Sequence, residues 1–190
     1  MSVATTIELN PTAVTLQMLR VDQIDAVPSK MLKSAIKTYQ EAFQKLPYEE
    51  LYSDDETKSA YTYILEHAKH DLYFTSLSDS PDECISFTGG FQAEDGTYFL
   101  EELAVSPDHQ RKGFGKQTLE YLLERIGERG YTKVELRTTA RNIQAINLYQ
   151  SEGFHIDGRA EIVPHMGQGG QITLDKRIIL SKTLKADSSD

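Results

Sequence analysis

Cysteine, basic charge and long apolar runs are all scarce in this chain of 190 residues. The single cysteine, Cys84, excludes an internal disulfide and any metal site built from several cysteines. Its apolar neighbours predict that it packs in the interior of a strand. Acidic residues outnumber basic ones by 29 to 20, and the net charge of -9 argues against non-specific binding to nucleic acid. Cationic partners are favoured over anionic ones for the same reason.

No apolar run approaches the ~18 to 20 residues that a membrane-spanning helix requires. The first residues, MSVATTIELNPTAVTLQ, lack the basic start and apolar centre of a secretory leader. We therefore expect a soluble, cytoplasmic protein that does not bind membranes. No repeat, low-complexity block or flexible linker divides the chain, which predicts one domain over residues 1–190, with a core at about 14–182. Residues 1–12 and the tail KADSSD are expected to be frayed.

Hydrophobic periodicity predicts an alternation of strands and helices along the chain. The predicted elements are a strand at 14–19, two helices, strands at 72–77, 84–91 and 98–105, a helix from near Gly113 to Gly130, a strand at 134–139, a helix from Asn142 to Gly153, and strands near 154–163 and 171–180. The strand, helix, strand order in the second half implies one parallel pair. The predicted fold class is α+β, with a mixed, mostly antiparallel central sheet of about seven strands flanked by about four helices.

The stretch HQRKGFGKQTLE (109–120) lies between a predicted strand that ends at Val105 and a predicted helix. The first amide groups of a helix have no partner within it, and they attract anions. Gly113 and Gly115 allow a ligand to approach the backbone, because no Cβ stands in the way. A basic cluster adds positive charge to this helix start: Arg111, Lys112 and Lys116. A phosphate group fits this chemistry.

Two common phosphate-binding patterns do not match this turn. A Walker A loop needs glycine at 110 and serine or threonine at 117, where Gln110 and Gln117 stand. A dinucleotide fingerprint needs glycine at 118, which is Thr118. ATP and NAD are therefore disfavoured. On these residues alone, a glycine-containing loop with a solvated basic face stays an open alternative.

Two separate blocks of the chain resemble one known family. The block ELAVSPDHQRKGFG (102–115) is similar to the strand and pyrophosphate loop of the GCN5-related N-acetyltransferase superfamily, whose signature [QR]xxGx[GA] is matched by Gln110, Gly113 and Gly115. The block NIQAINLYQSEGF (142–154) resembles the NxxAxxLYxxxGF segment of the same superfamily. The element order agrees with the family over about 14–182, whereas the specific motifs lie between about 101 and 154.

The resemblance implies the acyl-CoA N-acyltransferase fold and acetyl-coenzyme A as co-substrate, with no metal. The turn would hold the pyrophosphate through backbone amides, and its residues are Gln110, Arg111, Lys112, Gly113, Phe114, Gly115 and Lys116. In the family, the strand that ends at Val105 and the strand that follows the next helix diverge. The exposed main chain of Leu103, Ala104 and Val105 would then pair with the pantetheine arm and the thioester carbonyl, which Asn142 would also contact. The residues themselves equally allow Asn142 to be a helix cap and the three strand side chains to be sheet core.

Transfer to an amine requires a group that removes a proton. A lysine-like amine with a pKa of ~10.4 is neutral in only about one molecule in 2,500 at pH 7, which is a penalty of ~4.6 kcal/mol. The candidate bases are Glu101 and Glu102 on one strand and Glu135 on the next. Since successive strand side chains face opposite sides of the sheet, we expect either Glu101 or Glu102 to face away. The Glu135 to Asn142 spacing is two residues longer than one common in the family, and a solvated or ion-paired role is the alternative for all three carboxylates.

Tyr149 matches the family's tyrosine that assists departure of the coenzyme A thiolate. A phenol with a pKa of ~10 has only a modest driving force for protonating a thiolate with a pKa of ~8.5, so its position matters more than its acidity. A core aromatic of an amphipathic helix is the simpler reading of the same residue.

The sequence thus predicts an N-acetyltransferase that moves an acetyl group from acetyl-coenzyme A to a primary amine by direct attack in a ternary complex. The alternative is an inactive acetyl-coenzyme A sensor or interaction domain. The aromatic and acidic segment 39–55, which lies where the family often lines its acceptor pocket, favours a small cationic amine such as a polyamine or aminoglycoside. A peptide amine is the alternative acceptor, and a solvated helix edge is the alternative interpretation of segment 39–55. The sequence also leaves a homodimer open.

Overall fold

The structure of the chain, a computed structural model, describes residues 4–7, 16–66, 70–166 and 172–184, with the backbone alone at 4–7 and 165–166. Within these ranges no helix combines the length and the apolar character that a membrane crossing needs. The strands are β1 (Ala4–Ile7), β2 (Leu16–Arg20), β3 (Asp71–Leu77), β4 (Ser86–Gln92), β5 (Tyr98–Val105), β6 (Lys133–Thr139), β7 (His155–Met166) and β8 (Ile172–Thr183). The α-helices are α1 (Ser29–Gln44), α2 (Asp54–Glu66), α3 (Phe114–Glu128) and α4 (Ile143–Ser151).

The strands form one mixed sheet in the order β1-β2-β3-β4-β5-β6-β8-β7. The pairing of β5 with β6 is parallel, and the other neighbours in this sheet are antiparallel. The predicted fold class is therefore confirmed, with eight strands among the described residues instead of about seven. The additional strand is β1, which pairs with β2. The sequence predicts the residues of β1 to be frayed.

Helices cover both faces of the sheet. Helices α1 and α2 bury an apolar layer that includes Ile36, Phe43 and Tyr61 on one face. Helix α3 buries Leu119, Leu122 and Ile126 on the other face, where side chains of α4 join the same cluster. Each helix is amphipathic, so its burial is driven mainly by the apolar side that meets the sheet.

Two sequence predictions concern single residues of this framework. Ser53 and Glu56 form a capping box at the start of α2: the Ser53 amide donates to Glu56 Oε2 at 2.7 Å, and the Glu56 amide donates to Ser53 Oγ at 3.2 Å. Cys84 is buried as predicted, but it lies two residues before β4 rather than inside a strand. Burial raises the pKa of its thiol to about 12, so the thiol is protonated and inert at neutral pH.

The parallel pair β5–β6 separates along its length. Direct pairing is limited to Tyr98 with Val134, Phe99 with Glu135 and Leu100 with Leu136. Beyond Leu100, β5 continues to Val105 and β6 continues to Thr139 without pairing to each other. A gap therefore opens between the carboxyl ends of these two strands, where ligands of open sheets commonly bind.

Candidate active site

The gap between β5 and β6 forms the floor of a cleft with a volume of about 280 Å³. Its walls come from the end of α1 and the loop after it, from the turn before α3, and from α4. The lining residues are Ala42, Phe43, Leu46, Pro47, Tyr48, Leu103, Ala104, Val105, Gln110, Arg111, Gly113, Gly115, Lys116, Asn142, Gln144, Ala145, Leu148 and Tyr149. Most of the residues that the sequence predicts to bind the co-substrate are thus brought together at one place.

Helix α3 begins at the mouth of this cleft. Gly113 is its N-cap, with φ 89° in the left-handed region, and offers no side chain to satisfy the first amides. The first intrahelical bond runs from the Gln117 amide to the Gly113 carbonyl, at 3.1 Å. The amides of Phe114, Gly115 and Lys116 precede it, so they are available to an anion at the positive end of the helix.

Gly115 brings α3 close to the end of β5 and to α4. A Cβ at this position would lie 3.3 Å from Val105 Cγ2 and 3.6 Å from Leu148 Cδ2, and all three residues line the cleft. The missing side chain therefore leaves space in the wall of the cleft between the start of α3 and the end of β5.

The side chains of the turn differ in what they can contribute. Gln110 Nε2 donates to the Val105 carbonyl at 3.1 Å, which ties the turn to the end of β5. The side chain of Phe114 is buried beside Leu16 and Ile85, so this residue can serve a ligand in the cleft only through its backbone. Arg111 and Lys112 are exposed.

Lys116 is engaged by the protein itself. Its Nζ lies 2.5 Å from Glu152 Oε1 and 3.3 Å from Glu120 Oε1, and the hydrogen bond to Glu152 is the main cause of its raised pKa. Lys116 therefore fixes α3 to the end of α4, and its amide rather than its ammonium is positioned for the cleft.

The expectation that the side chains of Glu101 and Glu102 face opposite sides of the sheet is wrong. Glu102 pairs with Gly89 of β4, but Leu100 pairs with Gly90, so Glu101 is an extra residue in a β-bulge. A bulge interrupts the period of two on which the expectation depends.

Because of the bulge, both carboxylates lie on the face that carries α1. Glu102 accepts a hydrogen bond from Tyr39 of α1 at 3.1 Å. Glu101 Oε1 lies 3.8 Å from Arg137 of β6. Leu136, next to Arg137, is buried on the α3 face, so Arg137 and its partner Glu101 lie on the α1 face. The sequence has no strong turn residue at Glu101 that would mark the bulge.

Glu102 has the most perturbed carboxylate of the site. Burial raises its pKa to about 8, and the nearby charges of Glu101 and Glu50 act in the same direction. The hydrogen bond from Tyr39 and the charge of Arg177 oppose this shift without cancelling it. A carboxylate with a pKa near neutrality can take up and release a proton under physiological conditions.

None of the three predicted carboxylates is among the lining residues of the cleft, and Glu135 differs from the other two in its partners. Its Oε1 lies 2.6 Å from Lys133 Nζ and 2.5 Å from Arg159 Nη2. Burial alone would raise its pKa, but the hydrogen bonds from these two cations outweigh burial and lower it. Glu135 is thus less suited than Glu102 to accept a proton.

Tyr149 of α4 lines the cleft and is 7% exposed, with its ring centroid 5.8 Å from that of Phe154. Burial raises the pKa of its phenol well above the usual range, and Tyr48 and Glu102 add to this effect. The phenol therefore keeps its proton, which suits a hydrogen-bond donor. Glu102 and Tyr149 lie within electrostatic reach of each other, although they belong to different elements.

Asn142 closes the site at the start of α4. Its Oδ1 accepts from the Ala145 amide at 3.1 Å, which is the predicted helix cap. Its Nδ2 donates to the Tyr48 hydroxyl at 3.2 Å, and that hydroxyl also lies 3.1 Å from Thr138 Oγ1. Tyr48 thereby bridges the end of β6, the start of α4 and the loop after α1.

Other residues of the site are not singled out by the sequence. Tyr52 donates to Glu50 Oε2 at 2.6 Å, and Arg177 of β8 lies 3.3 Å from Glu50 Oε1. Glu50 and Tyr52 fall in the acidic and aromatic segment 39–55, which the sequence does mark as a candidate acceptor wall. No local pattern marks Arg177, because the sheet order alone brings β8 to this position.

The strand order, its one parallel pair among the described strands and the position of α3 at the gap define the acyl-CoA N-acyltransferase class of folds. The sequence profile described as "Acetyltransferase (GNAT) family" matches residues 30–154. The chain belongs to this family, and the resemblance found in its two motifs is confirmed.

Curated relatives match shorter parts of the chain. The [ribosomal protein bS18]-alanine N-acetyltransferase of Escherichia coli K12 is 43% identical over 56 residues, which cover 30% of this chain and 38% of that protein. Human N-acetyltransferase 8 is 28% identical over 89 residues, covering 44% and 39% of the two chains. Peptidyl-lysine N-acetyltransferase YiaC of E. coli K12 is 36% identical over 58 residues, covering 30% and 36%. The chain therefore spans well under half the length of each.

Solved structures extend the likeness to nearly the whole fold. The ribosomal-protein-S18-alanine N-acetyltransferase from E. coli superposes with a TM-score of 0.66 at 20% identity, covering 91% of this chain and 97% of that one. An N-acetyltransferase from Staphylococcus aureus Mu50 gives 0.65 at 15% identity, covering 88% and 99%. At these identities the likeness concerns the fold.

Proposed function

We propose that the protein transfers the acetyl group of acetyl-coenzyme A to a primary amine by direct attack in a ternary complex. One observation carries the proposal: the start of α3, with its open amides, and Tyr149 line the same cleft. Glu102 directly precedes Leu103, which also lines it. A single extended ligand can therefore place its diphosphate at α3 and its thioester beside Tyr149.

The residues of the cleft fit such a ligand. Gly113 and Gly115 provide the anion-binding helix start and the open passage beside it. The main chain of Leu103, Ala104 and Val105 borders the gap on the side where β5 has no strand partner, and it can pair with an amide-containing arm. Acetyl-coenzyme A supplies the activated acyl group when it is bound.

Glu102 acts as the general base. The acceptor attacks as the neutral amine, and Glu102 accepts the proton that the attacking nitrogen loses while the new C–N bond forms and the C–S bond breaks. Tyr149 donates a hydrogen bond to the departing sulfur and keeps its own proton. Coenzyme A leaves as the thiolate, which takes its proton from solvent, and the proton lost by the nitrogen resides on Glu102.

The pH dependence of the rate follows from the base. Only ionised Glu102 can accept a proton, so its ionisation is expected to make kcat/KM rise with pH through about 8. A pH–rate profile of the wild-type enzyme with a saturating thioester measures this limb. A rate that is flat between pH 6 and about 9 would contradict the assignment of Glu102.

Tyr149→Phe tests the role of the phenol. We expect turnover to fall at least ~10-fold with little change in the affinity for acetyl-coenzyme A, because only the leaving group loses a hydrogen-bond donor. Tyr98→Phe is a matched control, since this hydroxyl is also buried but does not line the cleft. Equal turnover in wild type and Tyr149→Phe would remove the residue from the donor role.

The acceptor is proposed to be a cationic primary amine. The carboxylates of Glu50 and Glu101 lie near Glu102, and this acidic surrounding favours an ammonium group. One relative is named for acetylating an alanine of a ribosomal protein, and another for acetylating peptidyl-lysine. These names support a polypeptide amine as a candidate acceptor, in addition to a small polyamine-like molecule.

Release of free thiol from acetyl-coenzyme A in the presence of an amine panel tests the proposal. The panel contains a polyamine, an aminoglycoside, a peptide with a free N-terminus and a peptide with an internal lysine. Amine-dependent release that Glu102→Gln abolishes would support transfer. Binding of acetyl-coenzyme A without release for every amine would contradict the proposed function and favour a sensor domain.

A further inference from the structure

A network of charged side chains links β8 to the loop that follows α1. Arg177 lies at its centre and is 20% exposed. Its Nη2 lies 3.3 Å from Glu50 Oε1, its Nε lies 2.7 Å from Asp175 Oδ2, and its Cζ lies 5.4 Å from the centroid of the Tyr48 ring. The guanidinium therefore contacts two residues of the loop and one residue of its own strand.

Asp175 anchors this network to the sheet. Its side chain is 5% exposed, and its Oδ1 accepts a hydrogen bond from Thr139 Oγ1 at 2.8 Å, at the end of β6. Arg141 pairs with the same oxygen at 3.5 Å, but it is about half exposed and has no described contact with the loop. The Nε of Arg177 thus contacts Asp175 of the sheet, while its Nη2 contacts Glu50 of the loop.

Of the two loop residues that Arg177 contacts, one lines the cleft and the other acts on Glu102. Tyr48 lines the cleft and joins Thr138 and Asn142 by hydrogen bonds. Glu50 accepts a hydrogen bond from Tyr52 and contributes to the raised pKa of Glu102. The loop is therefore attached to the rest of the site through polar contacts at both residues, with one cation shared between them.

We propose that Arg177 is a positioning residue that fixes Tyr48 and Glu50 opposite Glu102, so that the amine acceptor meets a preformed wall. The inference rests on the proposed function, in which Glu102 receives the acceptor's proton. A planar guanidinium with several donors can hold two carboxylates and an aromatic ring at once, whereas a lysine ammonium is a single point of charge. Pre-ordering the loop lowers the entropy that acceptor binding would otherwise lose.

Arg177 and Glu50 also act on Glu102 in opposite directions. The groups that face Glu102 come from every surrounding element: Tyr39 of α1, Glu50 and Tyr52 of the loop, Tyr61 of α2, Glu101 of β5, Tyr149 of α4 and Arg177 of β8. Removing the positive charge of Arg177 raises the pKa of Glu102, since the cation favours the ionised form. Removing the negative charge of Glu50 lowers it.

The test compares Arg177→Gln, Glu50→Gln and the control Arg141→Gln in the full chain. The Glu102 carboxyl is titrated by ¹³C NMR with ¹³C-labelled glutamate, and amide hydrogen exchange is measured over residues 46–53. For Arg177→Gln we expect a higher pKa for Glu102 and exchange in the loop at least about 10-fold faster. For Glu50→Gln we expect a lower pKa, and for Arg141→Gln we expect neither change.

Unchanged loop exchange in Arg177→Gln, or a Glu102 titration that neither variant moves, would overturn the proposal. Should Arg177→Gln fail to fold, Arg177→Lys replaces it: the charge is kept, so faster loop exchange with little change at Glu102 is expected, and unchanged exchange overturns the inference. In the active enzyme, Arg177→Gln should raise the acceptor KM about 10-fold while the affinity for acetyl-coenzyme A stays constant. A wild-type protein that releases no thiol would refute the proposed function but leave the titration and exchange results valid.

Discussion

Glu102→Gln is expected to lower turnover about 10²- to 10³-fold at pH 7, which is the usual contribution of a positioned general base. The amide is nearly isosteric with the carboxylate, but it cannot accept a proton at neutral pH. Glu102 has the environment that this role needs, since burial and two neighbouring carboxylates raise its pKa to about 8. The pH-dependent limb of kcat/KM near that value should also disappear in the variant.

Two neighbouring carboxylates provide matched controls for this experiment. Glu101 lies beside Glu102 on β5 and pairs with Arg137. Glu135 lies on β6 and pairs with Lys133 and Arg159. We expect Glu101→Gln and Glu135→Gln to keep turnover within about 5-fold of wild type, because neither residue is assigned the proton. Full activity in Glu102→Gln together with a large loss in Glu101→Gln would move the base to the bulge residue.

Gly115→Val is expected to weaken acetyl-coenzyme A binding at least about 30-fold, a loss of about 2 kcal/mol. A Cβ at this position already lies 3.3 Å from Val105 Cγ2, so two further methyl groups would fill the passage between the start of α3 and the end of β5. The diphosphate and the thioester could then no longer occupy the cleft together. Isothermal titration with acetyl-coenzyme A measures the effect.

Gly127 of the same helix is the control for this substitution. A Cβ there meets no atom within 4 Å, so Gly127→Val changes the helix propensity without touching the cleft. We expect Gly127→Val to bind acetyl-coenzyme A with wild-type affinity, and both variants to keep a cooperative thermal transition. Equal affinity in Gly115→Val and wild type would show that the co-substrate does not pass this point.

Much of the fold follows from local patterns. The apolar spacing in α1 and α3 and the capping box at Ser53 and Glu56 agree with the structure because neighbouring residues determine them. The end strands are longer than predicted, since β7 runs on to Met166 opposite β8, and β8 runs on to Thr183 opposite β6. Pairing at β1 likewise depends on a partner strand and not on its own composition.

The backbone features of the candidate site were predictable from the sequence. The glycines at 113 and 115 follow from the chemistry of a helix start, and the structure places them at the cleft. Side-chain roles were harder to predict, because they depend on contacts between distant residues. Lys116 has the right charge and position in the sequence, yet it pairs with Glu152, which is 36 residues away.

The carboxylates show the same limit in a different way. An alternating strand predicts that Glu101 and Glu102 face opposite sides, and the bulge opposite Gly89 and Gly90 overturns this. A bulge is a property of two paired strands, so one strand's residues do not reveal it. Arg177 is a further case, because only the order of β6, β8 and β7 brings it next to the loop after α1.

The central claim is that the amides at the start of α3 hold the diphosphate of acetyl-coenzyme A. Isothermal titration of the wild-type protein with acetyl-coenzyme A and with S-acetyl-pantetheine, which has the same thioester arm but no diphosphate, tests it most directly. Acetyl-coenzyme A is expected to bind at micromolar concentration and S-acetyl-pantetheine at least about 100-fold more weakly. Equal affinity for the two compounds, or no binding of acetyl-coenzyme A at millimolar concentration, would contradict the claim.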